Sequence, residues 1–78
     1  MTLFEKLRDI MASTLDIPAK NIGEDTTMED IEEWDSLGHV HIMVALEQTF
    51  DLYMDAEDFG ELNSVRAILR YLEAENVT

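Results

Sequence analysis

The chain has no cysteine, one proline and only three glycines among its 78 residues. Without cysteine there is neither a disulfide framework nor a thiolate metal site to stiffen a domain this small. Burial of apolar side chains has to supply the stability, and at 46% hydrophobic the chain has enough of them. So little Gly and Pro suits a helical bundle, not a β-sandwich or a disordered acidic tail. No apolar run is long enough to span a bilayer. Glu5, Lys6, Arg8 and Asp9 interrupt what would be the apolar part of a signal peptide. The expectation is one soluble domain over residues 1–78, cytoplasmic and monomeric, with no membrane insertion.

Cations are the other absence. Between Lys20 and Arg66 there is no Lys or Arg, yet the stretch holds thirteen carboxylates: Glu24, Asp25, Glu29, Asp30, Glu32, Glu33, Asp35, Glu47, Asp51, Asp55, Glu57, Asp58 and Glu61. The remaining acids, Glu5, Asp9, Asp16, Glu73 and Glu75, are balanced by the five basic residues, so the net charge of -13 belongs to the middle of the chain. A polyanion repels nucleic acid and anionic membrane surfaces. Its partners are expected to be basic.

Leu3, Leu7, Ile10 and Met11 recur at helical spacing, with Phe4 and Leu15 widening the stripe, and Thr2 with Glu5 forms a candidate capping box. This predicts a first helix ending near Leu15. Pro18, Gly23, Asp25, Thr26 and Thr27 then read as irregular structure. So long a connection is unusual in a small domain, and Ile17, Ile22, Met28, Ile31 and Trp34 along it predict that it is pinned to the core. A second helix is expected from Ser36, as N-cap, to about Phe50. Its apolar residues cover more than one face, which predicts two neighbours, or one neighbour and a docking surface. Asp55 caps a short segment containing Phe59 and ending by Gly60. Asn63 or Ser64 caps a last helix in which Val65, Ile68, Leu69 and Leu72 repeat at i, i+3, i+4, i+7.

Ser36 is the residue with a chemical reading. A serine at a helix start is ordinarily a cap worth about 1 kcal/mol. Here it follows Asp35 at an acidic loop edge, and a helix N-terminus stabilises a phosphodiester. With no base held against it, Ser36 is a poor nucleophile by itself, so an outside enzyme would have to act on it. His39 and His41 lie two apart, on opposite sides of a helix, and cannot form the face that i, i+4 spacing gives. They read as solvated surface side chains. The acidic stretch from Glu24 to Asp35 lacks the alternating acids and central Gly of an EF-hand loop, so no dedicated metal site is expected. Met11, Met28, Met43 and Met54 read as core filler. No nucleophile–base pair or metal set can be assembled, which argues against an autonomous enzyme.

Residues 3 to 73 resemble the acyl carrier protein family. The resemblance is carried by Trp34-Asp35-Ser36-Leu37-Gly38-His39-Val40, by Ala45-Leu46-Glu47, by Phe50 and by the closing Ser64-Val65 helix. It implies an all-α four-helix bundle with a long loop between helices I and II and a short helix III, acting as a carrier, not an enzyme. It implies further that a phosphopantetheinyl transferase modifies Ser36 with coenzyme A as donor. The resulting phosphopantetheine arm ends in a thiol that bears acyl cargo as a thioester. Asp35 matches the acid beside the modified serine; Leu37, Val40 and Val44 match positions on helix II that basic acyl-transfer, ligase or synthase partners touch, with Glu47 on the rim. Gly38, His39 and His41 stand where many fatty-acid-synthesis carriers are acidic. That departure suggests a specialised pathway, polyketide, peptidyl or aminoacyl systems among them. The rival of a different class is a non-covalent acidic interaction module in which Ser36 merely caps a helix.

Overall fold

Thr2 begins the first helix as expected: its hydroxyl accepts from the Glu5 amide at 3.1 Å, and the Glu5 carboxylate accepts from the Thr2 amide at 2.8 Å. That amide, with the Thr2 hydroxyl, holds the Glu5 carboxyl below its ordinary value. The computed structural model describes residues 1–75, so the end of the expected 1–78 domain lies outside the described residues. Four α-helices follow one another: α1 (Leu3–Leu15), α2 (Ser36–Phe50), α3 (Ala56–Glu61) and α4 (Val65–Ala74). The four-helix layout, the long α1–α2 connection and the short α3 all match the reading of the sequence.

The two long N-terminal helices stop in the same way. Asp16 and Asp51 adopt left-handed φ values of 56° and 55°, and their amides bond back to the Ala12 and Glu47 carbonyls. The next residues, Ile17 and Leu52, bond to the same two carbonyls, both at 3.0 Å. Aspartate tolerates this conformation better than most non-glycine residues, so the helices close without a glycine.

Each long helix contributes one side to a shared core. Leu7 and Met11 from α1, Ile42, Met43 and Leu46 from α2, and Val65, Ile68 and Leu72 from α4 are all at 0% exposure. Burying a side chain of this size stabilises by about 1.5–3 kcal/mol. The α1–α2 connection is pinned as expected, with Ile22, Ile31 and Trp34 buried and Ile17 and Met28 packed against the core. Two short 3₁₀ turns, Ala19–Asn21 and Met28–Asp30, take up part of its length. The rest is fastened to the start of α4: Met28 donates to the Asn63 carbonyl and Val65 to the Thr26 carbonyl, both at 2.9 Å. Ser64 caps α4, its hydroxyl accepting from the Ala67 amide at 3.1 Å. Arg66, just beyond the cation-free stretch, reaches Asp25 at 2.6 Å; so exposed a pair contributes little.

Candidate functional site

The start of α2 is built differently from the expectation in one respect. Asp35, not Ser36, is the N-cap: its backbone is extended and its Oδ1 accepts from the Gly38 amide at 2.8 Å. A carboxylate satisfies an orphan amide and complements the helix dipole at once, so it displaces the weaker hydroxyl from that role. Ser36 becomes the first helical residue, exposed and released from capping. The Ser36 and Leu37 amides are left without acceptors inside the helix.

The second correction concerns His39. It is not solvated but 8% exposed, and it joins three parts of the chain. The Trp34 indole Nε1–H donates to His39 Nδ1 at 2.9 Å, while His39 Nε2 lies 2.7 Å from the Phe59 carbonyl oxygen. An indole nitrogen only donates, so Nδ1 is the acceptor and the ring proton sits on Nε2, from which it is donated to Phe59. Trp34 itself is 1% exposed. The loop before Ser36, the first turn of α2 and the middle of α3 are thereby tied through one neutral imidazole. His41 does face solvent, as expected.

Gly38 has a packing reason that its sequence position does not reveal. A Cβ there would stand 2.5 Å from the Glu33 carbonyl oxygen and 2.9 Å from Leu15 Cδ2. The loop and the end of α1 press directly on the first turn of α2. The absence of an acid at 38 therefore follows from close packing and carries no information about partners.

Of the expected partner residues, Leu37, Val40 and Val44 lie on one exposed face, at 66%, 43% and 41% exposure. Asp35 is exposed at the same end. Glu47 is different: it is half-buried, and its Oε2 accepts from the Met54 amide at 2.9 Å, fastening the segment that leads into α3. One oxygen of its carboxylate thus serves the fold, a role the sequence reading did not assign beside the expected place on the partner rim. A cleft of about 310 Å³ opens beside Ser36, bounded by His39, Val40, Phe59, Gly60 and Asn63. A larger groove, about 450 Å³ at Thr27, Met28, Glu29 and Asn63, does not include Ser36. Burial and the nearby carboxylates of Asp58 and Glu75 raise the Tyr71 phenol above its ordinary value, away from this site.

Sequence reasoning placed Trp34 in the core but missed its hydrogen bond to His39, the part of the Phe59 carbonyl and the burial of His39. One signal was present: His39 stands at i relative to Ile42, Met43 and Leu46 at i+3, i+4 and i+7, the stripe that goes inward.

The family profile described as "Phosphopantetheine attachment site" matches residues 5–72. The chain belongs to that family. Among its relatives, the acyl carrier protein of Clostridium acetobutylicum is 36% identical over 72 residues, covering 92% of this chain and 94% of that protein. The acyl carrier protein of Syntrophus aciditrophicus is 30% identical over 79 residues, covering 100% and 98%. The fold matches the solution NMR structure of holo acyl carrier protein from Geobacter metallireducens with a TM-score of 0.84 at 22% identity, over 97% of this chain and 87% of that one. As an acyl carrier protein the chain is a non-catalytic phosphopantetheine carrier. Among the described residues no helix is long and apolar enough to cross a membrane.

Proposed function

We propose that Ser36 is the residue to which phosphopantetheine is joined and that the protein presents acyl groups on this arm to partner enzymes. The observation that carries the reading is the division of labour at the start of α2, where Asp35 caps the helix and Ser36 keeps an exposed hydroxyl. The local groups suit a phosphodiester: two amides without helical acceptors point outward from a helix N-terminus, and the cleft beside Ser36 gives the arm a surface to lie on. When bound, the group supplies a terminal thiol on which cargo rides as a thioester. Such a thiol suits a reducing, cytoplasmic compartment.

Leu37, Val40 and Val44 supply the apolar centre of the partner footprint, with the Asp35 carboxylate beside them to attract basic surfaces. The transferase that modifies Ser36 and the enzymes that load and unload the thiol are the expected partners. A specialised pathway is supported by the first two turns of α2, which carry no acid and present His41 to solvent. Gly38 lends this no support.

Intact mass after incubation with coenzyme A and a broad-specificity transferase tests the attachment. The expected result is one phosphopantetheine on the native protein and none on S36A; a gain retained by S36A overturns it. Competitive loading against a conventional fatty-acid carrier tests the pathway. Weak loading by housekeeping enzymes, improved by H41E, supports specialisation, and equal loading counts against it.

A further inference from the structure

Two side chains of α2 reach across to the backbone of the segment that forms α3. Glu47 Oε2 holds the Met54 amide at 2.9 Å, and His39 Nε2 holds the Phe59 carbonyl at 2.7 Å. The six residues of α3 are too few to be a stable helix alone, so its position depends on what fastens it to α2. Apolar packing of Phe59 and Leu62 contributes, but apolar contacts are non-directional and slide. The two hydrogen bonds are directional and act at both ends of the seam.

His39 also stands in the way inward from Ser36. The two are three apart on one helix face and both border the 310 Å³ cleft. The imidazole bonds to Trp34, at 1% exposure, and the core residues Ile42, Met43 and Leu46 of the same helix are at 0%. For an aliphatic chain on the arm to reach them, α3 must move off α2. That parts Nε2 of the buried imidazole from the partly buried Phe59 carbonyl and gives up their hydrogen bond, which costs stability. Turning the ring aside instead deprives the buried indole N–H of its acceptor. Among the described residues no buried side-chain nitrogen or oxygen lacks a partner as the seam stands.

We propose that His39, held between Trp34 and Phe59, is a latch that determines cargo placement: it keeps the seam between α2 and α3 shut, so that an acyl group on the Ser36 arm lies in the outer cleft and not within the bundle. The inference rests on Ser36 as the attachment point. The cargo class it selects is short or polar acyl groups, which need no apolar shelter and can meet His39, Asn63 and solvent in the cleft. A long aliphatic chain on this carrier is left exposed.

The test loads the full-length protein with acetyl- or octanoyl-pantetheine arms, made hydrolysis-resistant by an amide link, and confirms each by intact mass. Methyl NMR spectra then compare the Ile42, Leu46 and Ile68 resonances between the two forms. In the native protein the two sets are expected to coincide. In H39L, and in W34F/H39L, where both polar partners are replaced by apolar groups, the octanoyl form is expected to shift these methyls away from the acetyl form. Displacement of the core methyls by octanoyl in the native protein overturns the latch, as does a folded variant that shows no octanoyl-dependent shift. If neither variant folds, the native comparison decides alone, coincidence in favour and displacement against. Absence of any mass gain overturns the attachment reading and the latch with it; mass gain with a displaced native core overturns the latch only.

Discussion

His39 and His41 lie two residues apart on α2. One is buried against an indole and a backbone carbonyl, and the other stands in solvent. The same division runs along the helix. His39, Ile42, Met43 and Leu46 turn inward, while Leu37, Val40, His41 and Val44 turn outward. Both faces are largely apolar, so the contrast of apolar against polar that usually orients a helix is missing here. Orientation comes from elsewhere: the glycine at 38 that admits the loop, the Asp35 cap, and the histidine that finds a buried indole and a partly buried carbonyl as partners. Such a helix suits the proposed role, in which one face holds the bundle together while the other is offered to enzymes.

The strongest challenge to this comparison is His39→Ala beside His41→Ala. The first removes an acceptor from a buried indole, an orphan costing about 1–3 kcal/mol, and a donor from a partly buried carbonyl, which costs less. A loss of roughly 2–5 kcal/mol in urea-induced unfolding is expected, against about 0.5 kcal/mol or less for His41→Ala. Equal effects would mean that the two faces are not distinct. Nitrogen chemical shifts of the His39 ring sharpen the point, since the geometry requires protonation at Nε2.

How much of this was legible beforehand follows from the kind of interaction involved. Helix ends, the pinned loop and the Thr2, Asp55 and Ser64 caps could be read because they rest on local spacing, over three or four residues. The family was legible for the same reason, from the motif at Trp34-Asp35-Ser36-Leu37. What could not be read depends on chain segments meeting from a distance: Phe59 approaching His39 from twenty residues away, Met54 reaching Glu47, and Glu33 with Leu15 closing over Gly38. Treating the two histidines as a failed metal pair hid the stripe to which His39 belongs. The Ser36 cap was misjudged because its neighbour Asp35 competes for the same amide.

Gly38→Ala probes the inner face more gently. Its methyl meets the Glu33 carbonyl at 2.5 Å, and that atom is backbone, so the loop has to shift. Overpacking of this kind costs about 1–3 kcal/mol, measurable as a lower urea midpoint. Gly38→Asp is expected to be worse and to report packing, not charge. A neutral result for Gly38→Ala would show that the loop has slack and would restore position 38 as a site where partner preference could be set.

Glu47 sits between the two faces, and Glu47→Lys asks to which it belongs. Replacing an acceptor with a donor breaks the hold on the Met54 amide. A hydrogen bond to a charged group is worth roughly 1.5–3 kcal/mol when buried, and half-exposure screens it toward about 1 kcal/mol. Thermal melts are expected to show that loss for Glu47→Lys and little for Glu47→Gln, which keeps an acceptor. Should Glu47→Lys slow partner association while leaving stability intact, the rim assignment holds.

The smallest effect on the fold is expected on the outer face, at Val40 and Ser36. Val40 is 43% exposed and borders the cleft, so Val40→Asp removes little buried surface and leaves no polar group stranded. Ser36 is exposed and caps nothing, so Ser36→Ala does not incur even the loss of roughly 1 kcal/mol that removing a true cap would cost. Both variants are expected to unfold within about 0.5 kcal/mol of the native protein. Their consequences diverge in function. Ser36→Ala is expected to abolish attachment, while Val40→Asp is expected to accept the arm still and to transfer cargo more slowly, because a carboxylate would then stand at the centre of the proposed apolar footprint, where an unpaired charge must be desolvated on docking. Circular dichroism and single-turnover transfer separate the cases. If Val40→Asp unfolds the domain, α2 is rotated from the orientation described, and the division between its faces fails with it.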